Sequence, residues 1–165
     1  MVTGIVTSSG NIGYRDQLDR ARRFLERVEH GPEDVEDVDE VQFQDNMWSF
    51  FQHCWHIKDW VRHDPLMSEA TKDAVIAAAH QSKVLAMCQD LCNATKHLRL
   101  NKTAARASHK HVETVIAPSQ GRYEHDLIVD DGHGGQLSGK KLARDCIADW
   151  ERILTDHGLA IARRS

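Results

Sequence analysis

The chain has no apolar run that approaches the roughly 18 residues needed to cross a bilayer. Its first residues, MVTGIVTSSGNIG, lack the basic start and the long apolar core of a secretory signal. There is neither an internal repeat nor a low-complexity segment. These absences argue against a membrane-spanning or secreted protein, so we expect a cytoplasmic protein with no membrane partner.

Cysteine is also scarce, at four in 165 residues. Each cysteine falls on the apolar face of a predicted helix: Cys54, Cys88, Cys92 and Cys146. A reduced thiol in that position behaves as a small hydrophobic side chain. We therefore expect no disulfide framework.

The composition, with 41% hydrophobic and 28% charged residues, is that of an ordinary globular domain. The formal net charge of −4 conceals an asymmetry, because the charged residues from 29 to 45 are all acidic and those from 91 to 112 are all basic. In one interpretation both blocks are solvated surfaces that attract each other. In the other, the basic block faces phosphate groups.

Apolar residues at helical spacing predict four helices. The central helix runs from Ala79 to Leu98 and is apolar nearly all round, which is typical of a buried helix. A second long helix runs from about Asp39 to His63. The first helix has an outer face that mixes arginine with acidic residues, and the last one spans about 137–157.

Between the central and last helices the period changes to two, which predicts a β-hairpin at about 110–131. The predicted fold class is mainly α, a four-helix bundle with a β-hairpin inserted before the last helix. We expect one helical domain over 14–158, with a flexible N-terminus at 1–13 and a tail at 159–165.

The second helix carries an apolar patch beside its core stripe, formed by Trp48, Phe51 and Trp55. A helix with two apolar faces must cover the second one, either inside the bundle or against a partner. We expect a homodimer formed through this patch.

Polar side chains on the same two helices form a candidate site. Asp90, Asn93 and His97 are spaced i, i+3 and i+7, so they share one side of the central helix. If the two helices are antiparallel neighbours, His56 and Asp59 of the second helix join them. A histidine held by a carboxylate can act as an acid or base near neutral pH, but such a cluster can equally be a structural hydrogen-bond network.

Two further segments have spacings that resemble ligand-binding motifs. His53, His56 and His63 have spacings that suit a metal, but the chain has no HExxH and no Glu three residues before a His, so we expect no metal ion and no cofactor. The segment GGQLSGKK matches a phosphate loop except that Lys141 replaces Ser or Thr, and too little chain follows it for the sheet such enzymes need. We interpret it as a Gly-rich start of a helix.

Two resemblances add an expectation about activity. Arg106 followed by His111 in a small all-α protein resembles the HEPN superfamily, which includes toxin and defence ribonucleases that usually act as dimers. The segments CWHIKDW and DLCNATKH resemble those of uncharacterised bacterial helical proteins across about residues 43–100, and this second resemblance implies no activity.

The resulting functional prediction is a HEPN-like protein that binds or cleaves RNA. His97 would be the acid or base, Asp90 or Asp59 would orient it, and Asn93 would be a polar contact, with His56 beside them. The predicted phosphate contacts are Lys96, Arg99 and Arg106. The alternative is a non-catalytic dimeric interaction module, in which the polar cluster is structural and the aromatic patch is the working surface.

Overall fold

The computed structural model describes residues 13–30, 39–94, 107–117 and 122–162, and for 108–117, 122 and 123 it describes the backbone. These residues form six helices and three strands. In chain order they are α1 (Tyr14–His30), α2 (Glu40–Trp55), α3 (Ile57–Arg62), α4 (Glu69–Gln81), α5 (Lys83–Ala94), β1 (Ser108–Ala117), β2 (Arg122–Asp130), β3 (Gln136–Ser138) and α6 (Gly139–Asp156). The mainly α class, with a β-hairpin before the last helix, is confirmed.

The predicted central helix is broken at Ser82, which has an extended backbone with ψ of 122°. The Ser82 hydroxyl accepts a hydrogen bond from the Leu85 N–H at 3.0 Å and donates one to the Asp149 carboxylate. Ser82 therefore ends α4 and caps the start of α5, as a serine side chain does at a helix N-terminus. The apolar stripe continues through the break, so periodicity alone predicted one helix.

The predicted second helix is also divided, at His56 between α2 and α3. The His56 carbonyl accepts from the Asp59 N–H at 3.0 Å and from the Trp60 N–H at 3.3 Å. This tightened turn separates the two helices without a change of apolar face, since Cys54, Ile57 and Val61 are all fully buried.

The three strands form one antiparallel sheet in the order β1-β2-β3. In the hairpin Val112 pairs with Leu127, and a register shift lies between His109 and His111. The third strand was not predicted, because it has only three residues, one of which, Leu137, pairs with Val129. Leu127 and Val129 are fully buried, so β2 presents one face to the helices.

The Gly-rich segment begins α6 and does not form a phosphate loop. The Ser138 hydroxyl accepts from the Lys141 N–H at 3.0 Å and so caps the helix. A Cβ on Gly139 would lie 2.8 Å from both the Cβ and the carbonyl oxygen of Leu127 and 3.0 Å from the Met47 methyl group. Glycine at this position lets the start of α6 approach β2 closely.

The core is built mainly from α1, α2, α5 and α6, with the largest fully buried side chains being Trp150, Phe50, Phe51, Leu18 and Met47. The predicted aromatic patch belongs to this core: Phe51 is fully buried, Trp55 is 4% exposed, and Trp48 packs partly buried against the core. The prediction that this patch is left for a partner is therefore wrong, since the bundle itself covers both apolar faces of α2.

The C-terminal residues up to 162 contact the start of α1. The Tyr14 hydroxyl donates to the Ala160 carbonyl at 2.8 Å, and Arg15 donates to the Ala162 carbonyl at 3.0 Å. Leu159 and Ile161 pack against the core. The part of the predicted tail at 159–165 that the structure describes, up to residue 162, therefore packs against the rest of the fold.

None of the described helices combines the length and the hydropathy that a bilayer span demands.

Candidate functional site

The predicted site residues divide into two sets. Four of them lie outside the described residues: Lys96, His97, Arg99 and Arg106. The other four are placed by the structure, with His56 between α2 and α3, Asp59 on α3, and Asp90 and Asn93 on α5.

Asp90 is 1% exposed and accepts a hydrogen bond from the backbone N–H of Ala107 at 3.0 Å. Ala107, itself 1% exposed, directly precedes β1, so this contact fastens the start of the sheet to α5. Asn93 lies one turn further along α5 and is half-buried. A buried carboxylate that is hydrogen-bonded to a buried N–H stabilises the structure. This is the role that a structural hydrogen-bond network would give to Asp90.

Asp59 is placed differently. It forms an ion pair with Lys58 at 2.6 Å, and its side chain is 49% exposed. Helices α2 and α5 pack against each other, and both the N-terminal half of α2 and the C-terminal end of α5 reach the sheet, so the two helices are antiparallel. Since Asp59 follows the far end of α2, it lies towards the opposite end of the bundle from Asp90. The structure therefore does not bring these two carboxylates to one site.

A second surface combines cations with rings, and sequence reasoning assigned it no function. On α1, three arginines and a phenylalanine follow one another at i, i+3, i+4 and i+7, which aligns them on one side of the helix. Rings from α2 and α3 lie beside them. We call this the arginine–aromatic face, consisting of Arg20, Arg23, Phe24, Arg27, His53 and Trp60.

The members of the arginine–aromatic face alternate in space. The guanidinium of Arg20 lies 5.4 Å from the Trp60 ring centroid, and that of Arg27 lies 5.0 Å from the Phe24 centroid. Phe24 in turn stacks on His53, with ring centroids 5.0 Å apart and an interplanar angle of 21°. Each cation–π contact contributes about 0.5–1 kcal/mol at an exposed position. The contacts hold positive charges and flat rings in a fixed order.

His53 lies partly buried among the positive charges of this face. Burial, and after it the charges of Arg20, His56 and Arg23, lower the pKa of His53 from 6.5 to about 4. The buried Gln17 amide, whose nitrogen lies 3.2 Å from His53 Nδ1 and donates to the His53 carbonyl at 2.8 Å, suits a neutral ring that accepts at Nδ1. At neutral pH the imidazole is therefore an uncharged stacking partner among guanidinium groups.

This arrangement predicts acid sensitivity. Because the pKa of His53 is about 4 in the folded chain and near 6.5 when unfolded, the unfolded chain binds more protons between these values. The His53 contribution to the free energy of unfolding is therefore constant above pH 6.5 and falls as the pH drops from 6.5 towards 4. We expect His53→Gln to lose less stability than the parent between pH 7.5 and pH 5, measured as urea midpoints. If the difference between the urea midpoints of the parent and of His53→Gln is the same at pH 7.5 and at pH 5, the prediction is wrong.

A third group lies in the core. The sulfurs of Cys54, Cys88 and Cys146 come from α2, α5 and α6, are fully buried, and all lie within 4.8 Å of one another. The Cys88 thiol donates to the Phe51 carbonyl at 3.6 Å, and the Cys146 thiol donates to the Val84 carbonyl at 3.9 Å.

The acidities of the three thiols differ. Burial raises the pKa values of Cys88 and Cys146 well above the usual value. For Cys54 burial also acts to raise the pKa, but the neighbouring side chains of Cys146, Cys88 and Trp150 outweigh burial and lower the pKa. Sequence periodicity placed each cysteine in the core, but only the packing of three helices shows that they meet.

Comparison with family models, with curated proteins and with solved structures finds no match to this chain. The functional assignment therefore depends on the geometry of these three groups of residues.

Proposed function

We propose that this protein binds single-stranded RNA through the arginine–aromatic face. The observation that carries the proposal is the alternation of rings and guanidinium groups, with Arg27 over Phe24, Phe24 on His53 and Arg20 over Trp60. Proteins that bind single strands combine a positive track for the phosphates with rings on which bases stack.

The guanidinium groups of the arginine–aromatic face remain available to bind phosphate. Arg23 and Arg27 are exposed, and Arg20 donates at 3.0 Å to the neutral Gln17 amide oxygen. By contrast, Arg22 of the same helix is neutralised by Asp19 at 2.8 Å and Glu151 at 2.6 Å. On α1, Arg23 and Arg27 therefore face solvent, whereas Arg22 is held by ion pairs within the fold.

RNA cleavage is the finer form of this proposal, supported by the HEPN resemblance and not by any contact described above. In it His97 is the acid or base, Asp90 orients it, Asn93 is a polar contact, and the phosphate groups are held by Lys96, Arg99 and Arg106. A cytoplasmic homodimer likewise stays a prediction. The aromatic patch that first suggested an interaction module is covered by the bundle, and that alternative loses its working surface.

The test is the binding of a fluorescently labelled single-stranded 12-mer RNA, followed by anisotropy at several salt concentrations. We expect the double variant Arg23→Glu and Arg27→Glu to bind at least about tenfold more weakly at low salt, since two phosphate contacts are replaced by repulsion. The slope of log K against log salt should fall by about 0.7 for each phosphate contact removed.

The matched control is Lys141→Glu with Arg144→Glu, which makes the same charge change on exposed positions of α6. It should bind close to the parent after the general effect of net charge is allowed for. The proposal fails if the two double variants lose affinity equally, if a duplex of the same sequence binds as well as the single strand, or if the parent binds no RNA at low salt.

A further inference from the structure

We propose that Cys54, Cys88 and Cys146 form a binding site for a thiophilic ion that takes three sulfur ligands, with trivalent arsenic as the best-matched ion. The site is independent of the arginine–aromatic face. It depends on the convergence of three fully buried sulfurs from three different helices within 4.8 Å.

The ligand set selects a soft ion. Thiolate ligands favour soft ions over magnesium or calcium, which prefer oxygen. A closed structural zinc site takes four ligands. Among the residues that the structure describes, the group that could hold a metal has three members, all of them cysteines. The remaining cysteine, Cys92, lies one helical turn beyond Cys88 and is not part of that group. Three sulfurs therefore suit an ion that is satisfied by three bonds.

The spacing fits such an ion after a small contraction. Bonds from such an ion to sulfur are about 2.3 Å long, as in zinc sites, and trivalent arsenic is pyramidal because it keeps a lone pair, so its three sulfurs stand about 3.5 Å apart. The sulfurs lie within 4.8 Å of one another before any ion binds. Movements of less than 1 Å, within reach of χ1 adjustments, would complete the site.

Charge decides between the thiophilic ions. Three thiolates around a monovalent or divalent ion leave a net negative charge in a core where burying charge is costly. With arsenous acid the reaction is As(OH)₃ plus three thiols giving As(SR)₃ and three waters. Three As–O bonds and three S–H bonds break, three As–S bonds form, and each thiol proton leaves in a water molecule. Neither arsenic nor sulfur changes oxidation state, and the product is uncharged.

Trp150 supplies an independent observation. Its side chain is fully buried, and its indole N–H has no oxygen or nitrogen acceptor among the described residues. Trp150 lies one helical turn after Cys146 on the same face of α6. A hydrogen bond from a buried N–H to an ion-bound sulfur is the kind of outer contact that orients ligands in metal sites.

The experiment uses arsenite and the reduced full-length chain, with arsenite present during refolding so that burial does not limit access. We expect one arsenic per chain by native mass spectrometry, with a mass increase of one arsenic atom less three hydrogens. An adduct held by two thiols keeps a hydroxyl group and has a different mass. The melting temperature should rise with arsenite concentration, because an ion that binds the folded chain stabilises it.

The paired variants are Cys88→Ala, which removes a member of the cluster, and Cys92→Ala, which removes the other cysteine of α5. Cys92→Ala should bind as the parent does, and Cys88→Ala should lose the three-thiol adduct. If Cys88→Ala does not fold, the adduct mass of the parent and of Cys92→Ala decides. A two-thiol adduct, loss of binding in Cys92→Ala, or no adduct after refolding would overturn the site.

Discussion

Asp90→Ala is expected to lower the free energy of unfolding by about 2–4 kcal/mol, or the melting temperature by roughly 5–15 °C for a chain of this size. The carboxylate accepts the Ala107 N–H at 3.0 Å, and both residues are 1% exposed. Truncation leaves a buried N–H without this acceptor and also removes a charged hydrogen bond, which is among the stronger kinds. Chemical denaturation at pH 7 measures the change.

The matched control is Asn93→Ala, a half-buried polar side chain on the next turn of α5, which should cost less than half as much. Asp90→Asn keeps an acceptor oxygen and should fall between the two. If Asp90→Ala is as stable as the parent or more so, the carboxylate is kept for a reason other than stability, as functional groups often are. That outcome would return Asp90 to the predicted catalytic cluster.

Asp90 also shows where sequence reasoning stopped. Its place on a polar strip followed from helical periodicity, which is a local property. Its partner lies 17 residues further along the chain, at the start of a strand. A polar residue on a buried face must have a partner, but the sequence does not say whether that partner is a backbone N–H, a histidine or a substrate.

The helices and the hairpin were predictable for the same reason, because periods of 3.6 and 2 residues are local. The breaks at Ser82 and His56 were not, since the apolar stripes run through both without a change of face. A serine inside a helical pattern caps a helix only if its hydroxyl has an N–H to accept from, as Ser82 has from Leu85.

The two groups of residues that carry the proposals were visible in the sequence as ordinary features. The arginines of α1 were interpreted as part of a mixed, solvated outer face, which is the usual fate of charged residues. What distinguishes them is the set of rings that α2 and α3 place beside them, including Trp60 and His53. The cysteines were interpreted as small core side chains, and only the packing of α2, α5 and α6 brings three of them together.

Asp64→Ala is expected to lower the free energy of unfolding by about 2–4 kcal/mol as well. The residue is 5% exposed, and its two oxygens accept from different backbone groups. Oδ2 accepts the Tyr14 N–H at 3.2 Å, and Oδ1 accepts the Leu66 N–H at 2.9 Å. Asp64 therefore caps α1 from a position 50 residues later in the chain.

The position of the Asp64 carboxylate suits its charge. The first N–H groups of a helix have no partner within it, and the positive end of the helix dipole favours an anion there. A Cβ on Gly13 would lie 2.5 Å from Asp64 Oδ2, so the backbone before α1 approaches the carboxylate as closely as only glycine allows. Both the cap and the close approach tie the start of α1 to the loop after α3.

Urea denaturation of Asp64→Ala checks the size of the effect, with Asp73→Ala as the control, since Asp73 is exposed and pairs with Arg62 on the surface at 2.6 Å. The control should change the free energy of unfolding by less than about 1 kcal/mol. Asp64→Asn should recover part of the loss, because an amide keeps one acceptor oxygen but not the charge that the helix dipole favours. Equal losses for the Ala and Asn variants would mean that the charge, and not the hydrogen bond, stabilises the start of α1.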